Sequence, residues 1–589
     1  MFNKTLALVT VGLLLFQNVT AFSNKDTADG QFEKLANQYV VELLAMNPER
    51  ATGLGEHKYD NRLDDYSLAG VKVNRAFTQK YLDDLNVISF DKLSKVNNVD
   101  ARIFRENLEY GIFQIDVLRS YEWNPMNYNV GSALDDLISR DFAPLKERLK
   151  NAKGRLEAIP GVVKAAKTNL KNPPRIYTET AIAQNKGVIG LIKGDLQMFA
   201  DRAGMKDELA PAQAAAVAAL TDYGAWLEKD LLPRSNGDFR LGEAKYRQKL
   251  KFALSSEMSK EDLLKRAEAD LKATRDRMFE VAAQLTLQPL NANPDPKRGV
   301  AVMDMQMEDA GKKRVIKAAL DKLAEKHPTN ENIVSQASGD LKETTEFVRK
   351  NNLVTVPTEP VKVIEMPEFA RGSAVAYFSS AGPFEKKNET SFAISPTPND
   401  WTAQRKASFF KEYNDYMLQD LTIHEAMPGH YLQIMHSNQF KAPTPIRALF
   451  SSGSFVEGWA VYAEQLMAEN KYGGAEVEMQ QLKMKLRVII NAIIDQKIHT
   501  QNMTEKEAID FMMNEGFQEE GEAAGKWKRA QMSSTQLSTY YVGSVEVNDL
   551  RKAYEAKHKG AIDMKQMHDE MLYFGSPAAK YVKEMMNLN

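Results

Sequence analysis

The sequence predicts a mainly α fold with a small β element in its C-terminal part. Three features carry the prediction: three- and four-residue apolar steps over most of the chain, turn residues at the breaks, and one stretch where both fail. The first helix is expected over Phe32–Leu44, and Asn47-Pro48 ends it. The same spacing predicts helices over Val71–Leu85, Asp100–Leu118, Leu145–Leu170, Thr178–Arg202, Ala212–Leu231, Lys260–Leu285 and Arg314–His327. The breaks are Asn172-Pro173-Pro174, Ser235-Asn236-Gly237-Asp238 and the Leu290–Arg298 stretch with its two prolines. Pro357, Pro360 and Pro367 make Pro357–Glu368 the least helical region. Two short runs after it, Ala374–Phe378 and Ser391–Ser395, read as strands separated by Gly382-Pro383, and helices resume from Trp401.

Composition excludes several chemistries. The chain has 589 residues, 43% hydrophobic, enough to bury a large core and to argue against disorder. A formal net charge of −2 offers no basic field for nucleic acid. With no cysteine there are no disulfides, thiolate metal sites or cysteine nucleophiles, so a tightly held transition metal has to sit on histidine and carboxylate.

Lys4, the apolar run Leu6–Phe16 and the small residues of Val19-Thr20-Ala21 have the order of a secretory leader. Residues 1–21 are therefore expected to be a signal peptide cut after Ala21, giving a periplasmic or secreted protein. The run is short for a membrane span, no later stretch is long and apolar enough to cross, and a lipid anchor would need the missing cysteine.

Six of the eight histidines lie in the last 166 residues, two of them in LTIHEAMPGHYLQ. There a His-Glu pair, His424 and Glu425, is followed six positions later by His430. A hydrolytic zinc site needs two or three neutral N or O donors, an open position, and a carboxylate that takes a proton from water. The usual HExxH spacing puts both histidines on one helical face, whereas six residues leave them roughly 120° apart. Convergence therefore requires the helix to bulge at Pro428-Gly429, where proline removes a donor and glycine frees the backbone. A third ligand is expected from SFVEGWAVYAEQLMAEN: Glu457 as ligand, and Glu464, seven positions on, as an outer acceptor that orients a ligand histidine.

HEAMPGHYLQ and EGWAVYAE resemble the marks HEAxPGHxxQ and EGWAxYAE of the bacterial family catalogued as domain of unknown function 885. That family is similar to HExxH-type metallopeptidases and to helical zinc peptidases such as carboxypeptidase Taq. The resemblance continues through Leu486-Arg487, Asp495–His499, Met503–Ala508, Arg529 and Gln536–Gly543. It departs at Lys497, where glycine is usual, at Met503, where tryptophan is usual, and at Ser534-Thr535, in place of Pro-Gly.

The resemblance implies a large helical zincin-like metallopeptidase with its β element beside the active-site helix. An N-terminal helical half (22–355) and a C-terminal catalytic half (356–589) would flank the cleft. One Zn²⁺, or another divalent metal, would sit on His424, His430 and Glu457, with Glu425 as general base. Tyr540 or His499 would stabilise the oxyanion, and Arg529 and His568 would hold substrate; His436 and His558 are bystanders. The expected activity is hydrolysis of short peptides, with Ser391–Ser395 pairing to the substrate and with no nucleic-acid or membrane partner. Hydrolysis of other amide bonds, such as peptidoglycan stem peptides, and non-catalytic peptide binding stay open as alternatives.

Overall fold

The computed structural model describes residues 27–286, 308–366, 375–385 and 390–588. The leader and the Leu290–Arg298 break lie outside the described residues. The fold is mainly helical with one three-stranded sheet, as the spacing predicts. The first helix is Ala28–Met46, with the Thr27 side chain accepting from the Gly30 N–H at 3.1 Å, and the predicted 145–170 helix is Leu145–Asn169.

The sheet has order β1–β3–β2, with β1 Lys362–Glu365, β2 Ala376–Ser379 and β3 Ser391–Ile394. β1 lies inside the proline-dense stretch, between Pro360 and Pro367, and pairs parallel to β3 in the register Lys362↔Ser391. β2 pairs antiparallel to β3, Ala376 opposite Ile394. The expectation that Ser391–Ser395 pairs with substrate is corrected by this topology. β3 is the central strand and both of its edges are used, so the edge open to the cleft belongs to β2.

Among the described residues there are four apolar cores, and three of them draw on both sides of residue 355. One joins Ile333, Ala337 and Val348 to the helices of the site region. Another packs Tyr246–Leu323 side chains against Leu486, Ile490 and Val542, and a third puts Ile446 and Tyr581 among Phe32, Tyr81 and Phe104. Only the core between Tyr128 and Leu231 is N-terminal throughout. The Arg447 guanidinium is buried against Asp100 at 2.6 Å and also donates to the Phe574 carbonyl at 3.0 Å, tying the two parts together. A division at residue 355 therefore does not separate two cores.

Two helices that frame the site, Gly453–Glu469 and Thr539–Lys557, cross at Gly458 and Gly543. A Cβ on Gly543 would run into the Ser454 carbonyl oxygen, and one on Gly458 into the Gly543 backbone. Backbone on both sides leaves nothing cheap to move. Gly543→Ala is expected to destabilise the protein by roughly 2–3 kcal/mol, read as a lower urea midpoint than wild type.

Candidate metal centre and cleft

The helix Asp415–Glu425 is capped by the Asn414 side chain, which accepts from the Tyr416 and Met417 N–H groups. It delivers His424 and Glu425 in its last turn and then stops, instead of bulging as the spacing suggested. The chain turns through a cis Met427–Pro428 bond, and the Gly429 N–H bonds back to the Ile423 carbonyl at 2.9 Å. Any Cβ at Gly429 would collide with the His424 carbonyl oxygen, so only glycine permits this return. A second helix, His430–Ser437, begins at the second histidine. Trp459, fully buried, fixes the turn by donating from Nε1 to the Pro428 carbonyl at 2.8 Å.

The result brings the two imidazoles together, with ring centroids 4.8 Å apart and planes at 86°. The Glu464 carboxylate takes the His424 Nδ1–H at 2.6 Å, which leaves the Nε2 lone pair aimed inward. Glu457 Oε2 lies 3.6 Å from His424 Nε2 and 3.4 Å from His430 Nε2. The three donor atoms lie within 4.8 Å of one another, the separation at which one ion reaches all of them. Buried Glu457 Oε2 and His430 Nδ1 have no hydrogen-bond partner among the described residues. Such orphaned atoms are costly unless something else satisfies them, and the donor set of two imidazoles and one carboxylate fits a divalent ion.

The electrostatics agree with that reading. Burial pushes the Glu457 carboxyl up, but the two imidazoles outweigh it and hold it well below the usual carboxylate range. Burial opposes charge on His424, while Glu457 and Glu464 pull it well above its ordinary value. Behind Glu464 sits Asp420, four residues before His424 on its helix, a residue the sequence reading missed. Burial and then the Glu464 charge push the Asp420 carboxyl well above its usual range. Its only signal in the sequence is a carboxylate on the ligand helix one turn earlier.

Glu425 points to the other side of the helix end, where its Oε2 accepts the Phe378 N–H of β2 at 3.1 Å. Glu425 and His424 face a cleft of about 710 Å³ that also takes in Ala376, Asn491, Arg529 and Tyr540. The Tyr540 hydroxyl accepts from Arg529 Nη2 at 3.3 Å and from Gln536 Nε2 at 3.4 Å. With both contacts taken as acceptor, its own proton is left to donate into the cleft.

Two expected site residues are not in the cleft, and both expectations are corrected. His499 is 2% exposed, packed against the Tyr246 and Phe239 rings beside the loop after Met532. Its Nε2–H donates to the Ala530 and Ser533 carbonyls at 3.1 and 2.8 Å, so it positions the loop that carries Gln536 and leads into the helix of Tyr540. In that loop Thr535, where the resembling family has glycine, keeps the left-handed conformation with φ 67°. Its N–H donates to Asp495 Oδ1 at 3.0 Å.

His568 is 0% exposed, held between the Leu353 carbonyl at 2.7 Å and the Tyr462 hydroxyl at 2.8 Å, behind the ligand helix. Burial lowers its pKa to about 4. Folding thus keeps it neutral while an unfolded chain, with a value near 6.5, takes up the proton first. Its contribution is fully present above about pH 6.5 and is lost as pH falls towards 4, a difference of about 3 kcal/mol. His568→Asn is expected to lower stability at pH 7.5 but to flatten the decline between pH 7.5 and 4.5, measured by urea midpoints of both proteins across that range.

Among the described residues no helix is long and apolar enough to cross a membrane. The family model described as bacterial protein of unknown function (DUF885) matches residues 48–586. A solved structure from Shewanella oneidensis, provisionally named a lipoprotein and of unknown function, is 31% identical with a TM-score of 0.80, covering 94% of this chain and 99% of that one. Another, from Colwellia psychrerythraea and also provisionally named a lipoprotein, is 17% identical with a TM-score of 0.76, covering 95% and 99%. The second likeness concerns the fold alone. No curated protein matches the chain.

Proposed function

The chain belongs to the bacterial family of unknown function DUF885, and on that premise we propose that it is an exported, metal-dependent peptidase acting on short peptides. The observation that carries the reading is the convergence of His424 Nε2, His430 Nε2 and Glu457 Oε2, with the Glu425 carboxylate next to His424 in the chain and held by the Phe378 N–H. His424, His430 and Glu457 would hold a divalent ion, zinc or another, and it would supply a Lewis acid that acidifies water and polarises a carbonyl. Glu425 follows a ligand directly in sequence, and the Phe378 N–H holds one of its oxygens. Its other oxygen takes a proton as water adds to the scissile carbonyl carbon, and returns it to the amine as the C–N bond breaks. Tyr540, with its O–H proton free, donates toward the oxygen where negative charge develops. The Phe378 amide marks the open edge of β2, and Ala376, two residues earlier, presents its backbone to the same side. That edge aligns an extended substrate along the cleft. The leader-like order of residues 1–21 supports an activity in the periplasm or outside the cell.

Metal analysis of the purified protein, paired with a mixed-peptide digest followed by mass spectrometry, tests the reading. One divalent ion per chain and cleavage that stops with chelator and returns with zinc are expected. Absence of stoichiometric metal, or intact peptides with metal-loaded protein, would overturn it.

A further inference from the structure

Opposite the metal centre, the helix Glu520–Met532 lines the cleft with Glu522, Lys526 and Arg529. Lys526 is 8% exposed, and its ammonium makes no hydrogen bond among the described residues. One carboxylate comes within ion-pair range, Glu522 one turn earlier at 3.9 Å. Burial lowers the Lys526 pKa to about 8, with Glu522 raising it and Arg487 and Arg529 lowering it in turn. A desolvated ammonium with three donors and no acceptor is an unfinished site. Arg529, three residues on, is exposed, and among the described residues its guanidinium bonds only to neutral groups, Gln536 Oε1 at 2.8 Å and the Tyr540 hydroxyl.

The other charges nearby are already matched. Glu412 is bonded by Lys483 at 2.8 Å and by Arg487, and Glu519 lies 3.3 Å from Lys411. Glu522 itself also lies 4.0 Å from Arg487, so Lys526 and Arg529 share their one nearby carboxylate with a third cation, which leaves this wall with more positive than negative charge. The same Arg529 touches Tyr540, whose hydroxyl is proposed to meet the oxyanion, so a group bound there sits next to the reacting bond.

Resting on the peptidase reading, we propose that Lys526 and Arg529 form a carboxylate-binding subsite that takes the free C-terminus of the peptide, so that the enzyme removes residues from the C-terminal end. Lys526 supplies a charge-assisted hydrogen bond from a buried position, and Arg529 a planar pair of donors from the rim. An internal peptide segment offers no anion here and leaves the Lys526 ammonium unsatisfied.

The test uses the full-length protein, one mixed tetrapeptide library and three versions of it: free acid, C-terminal amide and N-acetylated acid. Hydrolysis is followed by mass spectrometry, and binding by calorimetry on Glu425→Gln protein. Release of C-terminal residues from both acids, with the amide slowed roughly 10- to 100-fold, is expected. Lys526→Met and Arg529→Gln should each remove most of that preference, chiefly through KM, and Arg529 is exposed enough for its variant to fold. Equal cleavage of acid and amide, cleavage at internal bonds, or loss of activity on N-acetylation alone, which would mean that Glu522 captures an amine, each overturns the proposal. If no library is hydrolysed, the peptidase reading fails, while tighter calorimetric binding of acid than amide, lost in Lys526→Met, still supports the subsite and equal binding refutes it.

Discussion

Glu425→Gln should leave the protein folded and metal-loaded but lower peptide hydrolysis by about 100- to 10,000-fold. Glutamine keeps the shape and can still accept the Phe378 N–H that holds Oε2 in place. It has no basic oxygen to take a proton from water, and general-base catalysis by a positioned group is worth about 100- to 10,000-fold. Both parts of the result are informative. Metal content should match wild type, because Glu425 is not among the three converging donors. Turnover measured at saturating peptide should collapse while peptide binding persists. Full activity in the variant would show that another group takes the proton, and the role given to Glu425 would have to be abandoned.

Glu457→Gln is expected to act on the other half of the machinery. An amide oxygen is a poor substitute for a carboxylate ligand, and its NH₂ would face two imidazole nitrogens that now lie 3.4 and 3.6 Å from Glu457 Oε2. Metal per chain, measured by plasma mass spectrometry after dialysis, should fall from one to well below one. Glu464→Gln makes a graded comparison. It weakens the acceptor that orients His424 at 2.6 Å, and outer partners of this type change affinity by about 10- to 100-fold. The loss at Glu457 should exceed the loss at Glu464. Equal metal retention in all three proteins would mean that the cluster does not hold the ion.

The ligand cluster was legible because its parts are carried by two short motifs whose residue types have few other joint uses. Glu457 and Glu464, seven apart on one helix, stand where their spacing suggests, one toward His430 and one behind His424. The turn between the histidines was only half legible. Pro428-Gly429 signalled a disruption, but its outcome, two helices instead of one bulged helix, depends on Trp459 holding the Pro428 carbonyl from another element. His499 and His568 were misplaced for a common reason. A buried histidine bonded to backbone carbonyls has the same sequence appearance as one in a cleft, and only tertiary packing separates them. Lys526 escaped notice because a lysine on an amphipathic helix ordinarily reads as solvated. Its burial and the charges that act on it, Glu412 and Arg487 among them, depend on elements distant in sequence.

The cores that cross residue 355 bear on how this protein can be shortened. Every residue assigned to metal, proton transfer or substrate lies after residue 375, which invites expression of the C-terminal part alone. Such a fragment would lack Asp100, leaving the buried Arg447 charge without its carboxylate. It would also bare the faces of Leu486, Ile490 and Val542 that Tyr246–Leu323 side chains cover. Residues 356–589 should therefore aggregate when made without the rest, and a tag or fusion point is better placed at a chain end than at this boundary. The chemistry occupies a short stretch of the gene, but the smallest foldable unit that carries it is nearly the whole helical body.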